Sequence, residues 1–285
     1  MASVRDLRDR IRSLKNTQQI TKAMKQVAAA KIRRAELAQR QARPYADALS
    51  AMLGDLMNAV GTVDHPFLKP GREGAPKGVI LMTADKGLAG AFNSNVIRLG
   101  EQVARQDPNL LWYAVGNKAR NSTKRMSQKT VFDVSLAAGA KIDTARHIAA
   151  RVSDDFLAGT ISEITLVASK LVSMSIQRPE SRRLVPIVAE KKEAASGPRA
   201  AVEFAPSPEA VLSRLLPKYL EFTIFSAMLE TDAAFFAAQL IAMNNATDNA
   251  GKLIDELTLQ MNKARQTAIT SEMLEIVGGA EAVAG

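Results

Sequence analysis

The segment with the residue types of a ligand-binding loop is TADKGLAGAFN, residues 83–93. It follows a short apolar run that predicts a strand and precedes a pattern that predicts a helix. Gly87 and Gly90 suit a tight turn whose backbone amides can bind a phosphate, and Asn93 is a candidate helix cap. The paired Lys and Ser/Thr of a P-loop and the three-glycine dinucleotide fingerprint are both absent from the segment. A structural turn is therefore the favoured interpretation, with ligand binding as the alternative.

Other side chains that could carry out catalysis or bind a metal are few. Asp85 and Lys86 in the same loop could form a catalytic pair, but a capping carboxylate beside a surface cation is the more common arrangement. Asp154 and Asp155 are adjacent, and adjacent positions on a helix face different directions. The chain has no cysteine and only two histidines, which excludes thiol chemistry and disfavours a histidine metal centre. We therefore expect no catalytic site, no cofactor and no metal in this chain.

The basic residues are concentrated at the start of the chain. Lys and Arg number 38 against 29 Asp and Glu, a net charge of +9, and residues 1–43 alone hold twelve basic and three acidic residues. This concentration predicts an acidic partner surface, nucleic acid or an anionic membrane, and a solvated helix face is the plain alternative. No uninterrupted run of about 18 apolar residues occurs, so we expect no membrane-spanning segment. The first residues lack the apolar core of a secretory signal, and we expect a protein that faces the cytosol.

Both ends of the chain predict long helices, over residues 1–60 and 209–285. In the first, apolar residues recur mostly at steps of three and four: Val4, Leu7, Ile11, Leu14, Ile20, Met24 and Val27. In the second, small and apolar residues form a near-heptad series: Ala246, Ala250, Leu253, Leu257, Met261, Ala264 and Ala268. Two long helices with narrow apolar stripes most simply pair as an antiparallel coiled coil.

The middle of the chain predicts a small α/β domain over residues 77–190. Short apolar runs give the strand candidates 77–84, 110–115, 163–174 and 182–188, and helical patterns cover 93–106 and 140–157. Strands that alternate with helices favour a largely parallel sheet. Residues 191–208 are rich in small, polar and proline residues, which predicts a flexible linker. The fold class is thus mixed α and β, with a terminal coiled coil and a central α/β domain.

Three functional classes are compatible with this pattern: a scaffold whose helices insert into a partner, a nucleic-acid-binding coiled coil, and an α/β enzyme. Nucleic-acid binding usually adds aromatic stacking or a base-reading module, yet residues 1–43 contain no aromatic residue. The enzyme interpretation lacks a convincing set of catalytic residues. The residue pattern alone favours the scaffold.

Three segments closely resemble one known family. IRSLKNTQQITKAMKQVAAAKIRRA (11–35) is similar to the N-terminal signature of the gamma subunit of F-type ATP synthases. NATDNAGKLIDELTLQMNKARQTAITSEMLEIVGGAEA (245–282) resembles its C-terminal signature, and TADKGLAGAFN resembles the hallmark of its α/β domain. The three segments follow the family order and spacing and bracket nearly the whole chain.

The resemblance implies a bacterial rotor stalk, an antiparallel coiled coil inside a ring of alternating alpha and beta subunits. The α/β domain would lie outside the ring, beside the epsilon subunit and the membrane c-ring. Proton flow would turn the c-ring and this shaft, and the shaft would force the catalytic beta subunits through successive conformations. Mg-ATP and ADP would then be bound by alpha and beta, and this chain would hold no cofactor. The resemblance also implies no nucleic-acid binding, no membrane insertion and a peripheral position on the cytoplasmic face of the bacterial inner membrane.

The resemblance also assigns roles to individual residues. Met24 and Lys25 match family positions that face the lower loops of beta, and Arg265 and Gln266 match a pair that contacts a beta loop higher in the ring. The matching C-terminal segment, which couples to the N-terminal helix, includes Thr270, Glu272 and Glu275. The signature turn of the α/β domain comprises Asp85, Lys86, Gly87, Gly90 and Asn93.

The chain departs from the family pattern at two places. Many relatives carry a Glu and an Arg shortly before the Asn-Ala-Thr motif, where this chain has Phe235 and Gln239. Any polar coupling made by that pair must therefore be absent here or be replaced by apolar packing. Relatives often have an acid in the segment that touches the c-ring, where this chain has Phe204, Ala205 and Pro206.

Overall fold

The computed structural model of the chain describes residues 3–60, 65–137, 139–187 and 207–284. The chain divides into two compact units. The first unit contains both chain ends, residues 1–28 and 239–285, and the second contains residues 29–238. Both long terminal helices contribute residues to each unit.

In sequence, one long helix precedes and another follows a five-stranded sheet and the three helices that connect its strands. In chain order the elements are α1 (Val4–Val60), a short 3-10 helix (Pro66–Leu68), β1 (Lys77–Met82), α2 (Phe92–Gln106), β2 (Leu110–Val115), α3 (Asn117–Thr123), β3 (Thr130–Val134), α4 (Lys141–Leu157), β4 (Ile164–Ser173), β5 (Ile176–Val185) and α5 (Pro208–Ala284). Pro44 lies inside α1 and Pro217 inside α5, and neither proline ends its helix.

The sheet of the second unit has the strand order β3-β2-β1-β4-β5. The first four strands in this order are parallel, and β5 is antiparallel to β4. The prediction of a largely parallel sheet is therefore confirmed. Strands β1, β2 and the first half of β4 are nearly continuous apolar runs because helices cover both faces of the sheet.

Successive residues of β1 enter two different cores because strand side chains alternate between faces. Val79 and Leu81 pack on the face covered by α2. Ile80 and Met82 pack on the opposite face, in the larger core that also contains α4, the C-terminal part of α1 and the first part of α5. The sheet is thus the central layer of a three-layer arrangement, and both long helices help to bury one of its faces.

The structure corrects the predicted elements at the two edges of the sheet. Strand β3 and helix α3 were not predicted, and β5 begins at Ile176 rather than at residue 182. Both strands lie at sheet edges, where every residue of β3 except Asp133 is only half-buried and most of the first residues of β5 are polar. The predicted linker, residues 191–208, lies outside the described residues except for its last two, and so does the segment 204–206.

Candidate functional site: the paired chain ends and the signature loop

The two chain ends pair side by side in opposite directions within the first unit. The side-chain amide of Gln18 donates to the backbone oxygen of Thr247 at 3.4 Å. Seven residues later along α1, the ammonium group of Lys25 donates to the side chain of Asn244, which lies earlier in α5. Partner numbers therefore fall along α5 as they rise along α1, and the prediction of an antiparallel helix pair is confirmed.

A polar layer lies in the middle of this helix pair. The Thr247 hydroxyl donates to the Thr21 hydroxyl at 2.8 Å, and Thr21 in turn donates to the backbone oxygen of Gln18 at 3.0 Å. The helices approach closely here, because a Cβ built on Gly251 would lie 3.1 Å from the Gln18 amide nitrogen. Thr21 is only 8% exposed, so its hydroxyl occupies a position that apolar residues fill in most helix pairs.

The seam between the helices differs from the predicted apolar stripes. Leu7 and Ile11 are buried as predicted, but Ile20 and Val27 are 60% and 53% exposed. The seam runs instead through Thr21 and Ala28, one position further along each time. A stripe drawn through the large apolar residues misses these positions because one is a threonine and the other an alanine.

The predicted α5 series is confirmed at Ala250, which is buried, and needs correction at Leu253 and Ala268. Leu253 was predicted in the seam and is 47% exposed, whereas Ile254 is buried. Met243, Ala250 and Ile254 follow heptad steps of seven and four residues and form the buried face. Ala268 was also predicted in the seam and is exposed.

The two predicted contact residues of α1 lie next to each other on the helix pair. Met24 is half-buried, and Lys25 is half-buried with its ammonium group bonded to Asn244. Lys25 thus has a partner within the chain. A role for either side chain in contacting a beta subunit stays a prediction.

The predicted contact residues of α5 lie on a stretch that nothing in the described chain covers. Arg265 and Gln266 are exposed, and the backbone oxygen of Gln266 accepts a hydrogen bond from the Thr270 hydroxyl at 2.9 Å. Glu272 and Glu275 are exposed as well. The described residues of α1 therefore do not contact these side chains closely enough to bury them, and their coupling roles stay predictions.

The same end of α5 exposes a set of apolar residues that the sequence analysis missed. They are Leu259, Ile269, Met273, Leu274, Ile276 and Val277, each between 51% and 73% exposed. Together they leave a long helix with unburied apolar side chains, which usually marks an interaction surface. The sequence signal that could have identified them is their position outside the near-heptad series used to predict the seam.

Asp85 of the signature loop ties together the carboxyl ends of three parallel strands. Its Oδ1 accepts backbone bonds from Asn117 at 2.9 Å and Leu136 at 3.1 Å. Its Oδ2 accepts from the Ser135 hydroxyl at 2.8 Å and the Ala137 backbone at 2.9 Å. Burial raises the pKa of this carboxyl, but the four hydrogen bonds lower it more, and the net pKa lies below the ordinary value. The carboxylate therefore acts as a structural cap, while Lys86 is exposed.

Asn93 closes the other side of the loop. Its side-chain oxygen accepts from the Ala84 backbone at 3.0 Å, and its amide donates to the Lys86 backbone oxygen at 3.0 Å. The N-cap of α2 is Ala91, so Asn93 is not the cap proposed from the sequence. Gly90 has a φ of +56° and supplies the turn, whereas a Cβ on Gly87 would meet only ordinary contacts.

Apolar side chains of α5 fill the space beside this loop. Phe235 is 5% exposed and packs edge-on against Phe92, with ring centroids 5.8 Å apart. Ala84 and Ala89 of the loop belong to the same buried cluster. In open α/β folds, ligands usually bind at the carboxyl ends of the strands. Here the α5 side chains occupy that region, and Phe235 lies in apolar packing.

One hydrogen-bonded group of the second unit joins Tyr113, Arg151 and Asp155. The buried Tyr113 hydroxyl donates to Asp155 at 2.7 Å, and Arg151 donates to the same carboxylate oxygen at 2.8 Å. Burial and the Asp155 carboxylate raise the pKa of Tyr113 far above its ordinary value. Across the described ranges, no group of three or more His, Asp or Glu side chains is placed to hold a metal ion.

Helix α5 contains one window long and apolar enough, by composition alone, to cross a membrane. Within the chain, 56% of that window is buried. The core helix of a folded domain has the same properties, because its apolar residues face other elements rather than lipid.

Comparison with known proteins gives full-length matches. A family model described as ATP synthase matches residues 3–283. The ATP synthase gamma chain of Heliobacterium modesticaldum is 44% identical over 292 residues, covering 99% of this chain and 100% of the relative. The ATP synthase gamma chain of Desulforamulus reducens is 45% identical over 284 residues, again covering 99% and 100%.

Solved structures share the fold at lower sequence identity. A chain of the Euglena gracilis mitochondrial ATP synthase, from a complex of OSCP, F1 and c-ring, has a TM-score of 0.70 and 19% identity. The match covers 98% of this chain and 94% of that one. A central stalk and c-ring structure from Tetrahymena thermophila has a TM-score of 0.60 and 20% identity, and covers 80% and 99% of the two chains. Because the family model spans almost the whole sequence and full-length bacterial relatives exceed 40% identity, the chain belongs to the ATP synthase gamma chain family, the central-stalk subunits of F-type ATP synthases.

Proposed function

We propose that this chain is the rotating shaft that couples proton flow to ATP synthesis and hydrolysis in a bacterial F-type ATP synthase. In this proposal the paired chain ends lie inside a ring of alpha and beta subunits. The α/β domain lies outside the ring, with the epsilon subunit and the membrane c-ring as its partners. Family membership supports the shaft role, and the exposed end of α5 supports its insertion into a ring.

The observation that carries the proposal is the surface of α5 beyond its pairing with α1. Every side chain from residue 265 to residue 280 is exposed, including four large apolar residues between 273 and 277. An isolated helix of this length gains little stability from its backbone alone, and exposed apolar side chains do not favour it in water. A surrounding sleeve of other subunits would bury these side chains and stabilise the helix.

The basic segment supports contact with acidic loops of that sleeve. Of the twelve Lys and Arg residues in 1–43, all except Lys25 are exposed. Exposed ion pairs contribute only about 0–1 kcal/mol each, so they can break and form again at each angle of the shaft. Deeply interdigitated apolar contacts around the whole shaft would instead trap one orientation. Weak, repeated electrostatic contacts are therefore compatible with rotation.

Arg265 and Gln266 are the proposed contacts with beta near the end of the shaft. One shaft cannot satisfy three beta subunits equally, so each residue would contact one or two of them at a time. Arg265→Ala should remove charge-assisted hydrogen bonds of about 1.5–3 kcal/mol each. ATP-driven proton pumping should then fall relative to the ATPase rate in the same membranes.

Lys263→Ala is the matched control, because Lys263 is an exposed cation two residues away on the same helix. It should leave the ratio of pumping to hydrolysis unchanged. Wild-type pumping and hydrolysis in Arg265→Ala membranes would show that Arg265 has no coupling role.

We further propose that the chain has no catalytic site and that Mg-ATP and ADP bind to the neighbouring alpha and beta subunits. The filled space beside the signature loop supports this proposal, since Phe235 and Phe92 occupy the region where α/β folds usually bind ligands. Purified chain, free of alpha and beta, should show no ATP turnover. Measurable hydrolysis that tracks the purified chain would overturn the proposal.

The proposed location is the cytoplasmic face of the bacterial inner membrane, held there by other subunits. The burial of more than half of the apolar window in α5 supports peripheral attachment. A low-ionic-strength wash with chelator should release the chain together with alpha and beta. Release only by detergent, after alpha and beta have been removed, would indicate direct insertion.

A further inference from the structure

A small polar cavity of about 130 Å³ lies in the second unit between α1, β5 and α5. Ser50 of α1 lies on one side and Arg182 of β5 on another, and both residues are exposed to solvent. Helix α5 contributes Tyr219, Thr223 and Ser226, which are spaced by three or four residues and so share one face of that helix. The remaining lining residues are two apolar side chains and an alanine: Leu49, Phe222 and Ala46.

The polar groups around this cavity have unused hydrogen-bonding capacity. In the described part of the chain, none of the four hydroxyls and no nitrogen of Arg182 takes part in a side-chain hydrogen bond or an ion pair. Serine and threonine hydroxyls inside helices often bond to the carbonyl four residues earlier, as Thr258 and Thr267 do here. Thr223 and Ser226 make no such bond, which leaves their hydroxyls available to a ligand.

The charge of the lining favours an anion. Arg182 is the only ionised side chain among the lining residues, and no carboxylate joins it there. A second guanidinium, Arg183, lines a smaller adjoining cavity together with Arg182 and Tyr219. A cation would meet only positive charge, and an apolar ligand would leave the hydroxyls unpaired.

The size of the cavity restricts the ligand further. Drug-sized ligands occupy cavities of about 300–1,000 Å³, so a space of about 130 Å³ holds only a small one. A tetrahedral oxyanion offers several acceptor oxygens to a guanidinium and to hydroxyl donors at once. We propose that this cavity is a binding site for a small tetrahedral oxyanion such as inorganic phosphate, with Arg182 as the charged ligand and the hydroxyls of Ser50, Thr223 and Ser226 as donors.

The site adjoins a half-buried acid, Glu230, on the other side of Arg182. Arg182 also lines a third small cavity, together with Glu180 and Glu230. Burial, followed by repulsion from Glu180, raises the pKa of Glu230, while Lys170, Arg182 and a backbone hydrogen bond at Leu171 act against the increase. A bound oxyanion would compete with these two carboxylates for Arg182. The larger neighbouring cavity near Arg214 is a weaker candidate, because its other cation, Lys218, is paired with Glu221 at 2.8 Å.

Calorimetric titration of the full-length chain with sodium phosphate, at an ionic strength held constant with chloride, tests the proposal. We expect one saturable phosphate site per chain, and sodium sulfate should compete for it. Arg182→Gln should weaken binding at least tenfold. The matched control is Arg178→Gln, which removes the same charge from the same strand at an exposed position outside the cavity and should leave the dissociation constant unchanged.

A second variant keeps the charge and changes only the hydroxyls. Thr223→Val combined with Ser226→Ala should weaken phosphate binding severalfold while the protein retains its helical circular dichroism. This variant keeps the test decisive if Arg182→Gln does not fold. Absence of saturable binding to the wild-type chain, or equal weakening by Arg182→Gln and Arg178→Gln, would overturn the proposal.

Discussion

Asp85 shows how one side chain can organise the loops of a parallel sheet. Its two carboxylate oxygens accept four hydrogen bonds from the segments that follow β2 and β3. Three of these donors are backbone amides, which the loops would otherwise leave unpaired. Asp85 was one of two residues considered as a catalytic pair from the sequence, and its saturated carboxylate explains why a structural role fits better.

Asp85→Asn should destabilise the second unit by about 1.5 kcal/mol at pH 7, because an amide cannot accept four hydrogen bonds and hydrogen bonds to a charged group are stronger. Urea unfolding of the full chain measures the change. Asp55→Asn is a suitable control, since it alters an exposed carboxylate of α1 in the same unit.

The effect of Asp85 should depend on pH in a defined direction. A carboxyl whose folded pKa lies below its unfolded pKa contributes stability above the unfolded pKa, near 3.9, and loses it as the pH falls through the folded pKa. The gap in stability between wild type and Asp85→Asn should therefore shrink as the pH falls below about 4. A gap that is the same at pH 7 and pH 3 would contradict this role.

The backbone conformation at position 116 and a close backbone neighbour require glycine there. Its φ is +94°, and an added Cβ would lie 2.1 Å from the Thr83 backbone oxygen. Gly116→Ala should cost about 2–4 kcal/mol in the free energy of unfolding, from backbone strain and the clash together.

Gly139→Ala separates these two contributions. Gly139 has a φ of +67°, but an added Cβ would meet nothing within 4 Å. Its cost should be limited to strain, about 1 kcal/mol. Equal losses in the two variants, measured by urea unfolding, would show that the contact with Thr83 is unimportant.

The pairing of α1 and α5 combines apolar and polar contacts along one seam. The hydroxyls of Thr21 and Thr247 form a polar layer. Leu7, Ile11 and Ile254 provide apolar burial on one side of this layer, and Ala28 and Met243 provide it on the other. Polar groups at core positions of helix pairs favour one register, because a shifted pairing would leave them buried without partners. The layer thus contributes specificity as well as stability.

A double-mutant cycle with Thr21→Val and Thr247→Val should give a coupling energy of about 0.5–1.5 kcal/mol. Thermal unfolding of the full chain provides the four stabilities that the cycle needs. Thr17→Val replaces Thr21→Val in the control cycle, because Thr17 is exposed and bonds only to the Ser13 backbone within its own helix. Its coupling to Thr247 should be near zero, and equal values in both cycles would exclude a specific layer.

The sequence predicted central elements better than edges. β1 and β2 are apolar on both faces because helices cover both sides of the sheet, and they were found within two residues of their observed ends. β3 lies at an edge, and its residues Thr130–Val134 carry too few buried side chains to form a distinctive pattern. Ile20 and Leu253 were assigned to the seam because periodicity cannot separate two adjacent faces before the partner helix is placed.

Only those parts of the candidate site could be predicted in which the type of a residue and its position in the chain indicate its role. The capping role of Asp85 followed from its position after a strand. The exposure of the end of α5 could not be predicted, because its apolar residues resemble core residues in the sequence. Only the structure shows that no described element covers them. The contribution of Phe235 to filling the space beside the loop also depends on a contact 143 positions away in sequence, with Phe92.

At the scale of the whole molecule, the charge is asymmetric. The net charge of +9 lies on residues 1–43, and nearly all of those basic side chains are exposed. Electrostatic attraction of this kind accelerates association and is screened by salt. In the proposed assembly, the rate at which the chain joins alpha and beta should fall about tenfold or more between low and high salt.

Arg8→Gln combined with Arg12→Gln should reduce that salt dependence, and stopped-flow assembly measurements would record it. Arg98→Gln combined with Arg105→Gln removes the same charge from exposed positions on α2 and should not. Tight nucleic-acid binding by the free chain at physiological salt would favour the nucleic-acid interpretation of the basic segment instead.

The central claim is that this chain turns inside a ring of alpha and beta subunits, and observing single complexes tests it most directly. The chain has no cysteine, so Arg105→Cys on the exposed surface of α2 provides one attachment point for a bead. The ring would be fixed to a surface through its other subunits, which must lack reactive thiols. We expect steady rotation of the bead in one direction when ATP is added, and none without ATP. Complexes that hydrolyse ATP at the normal rate while the bead shows only Brownian motion would contradict the account.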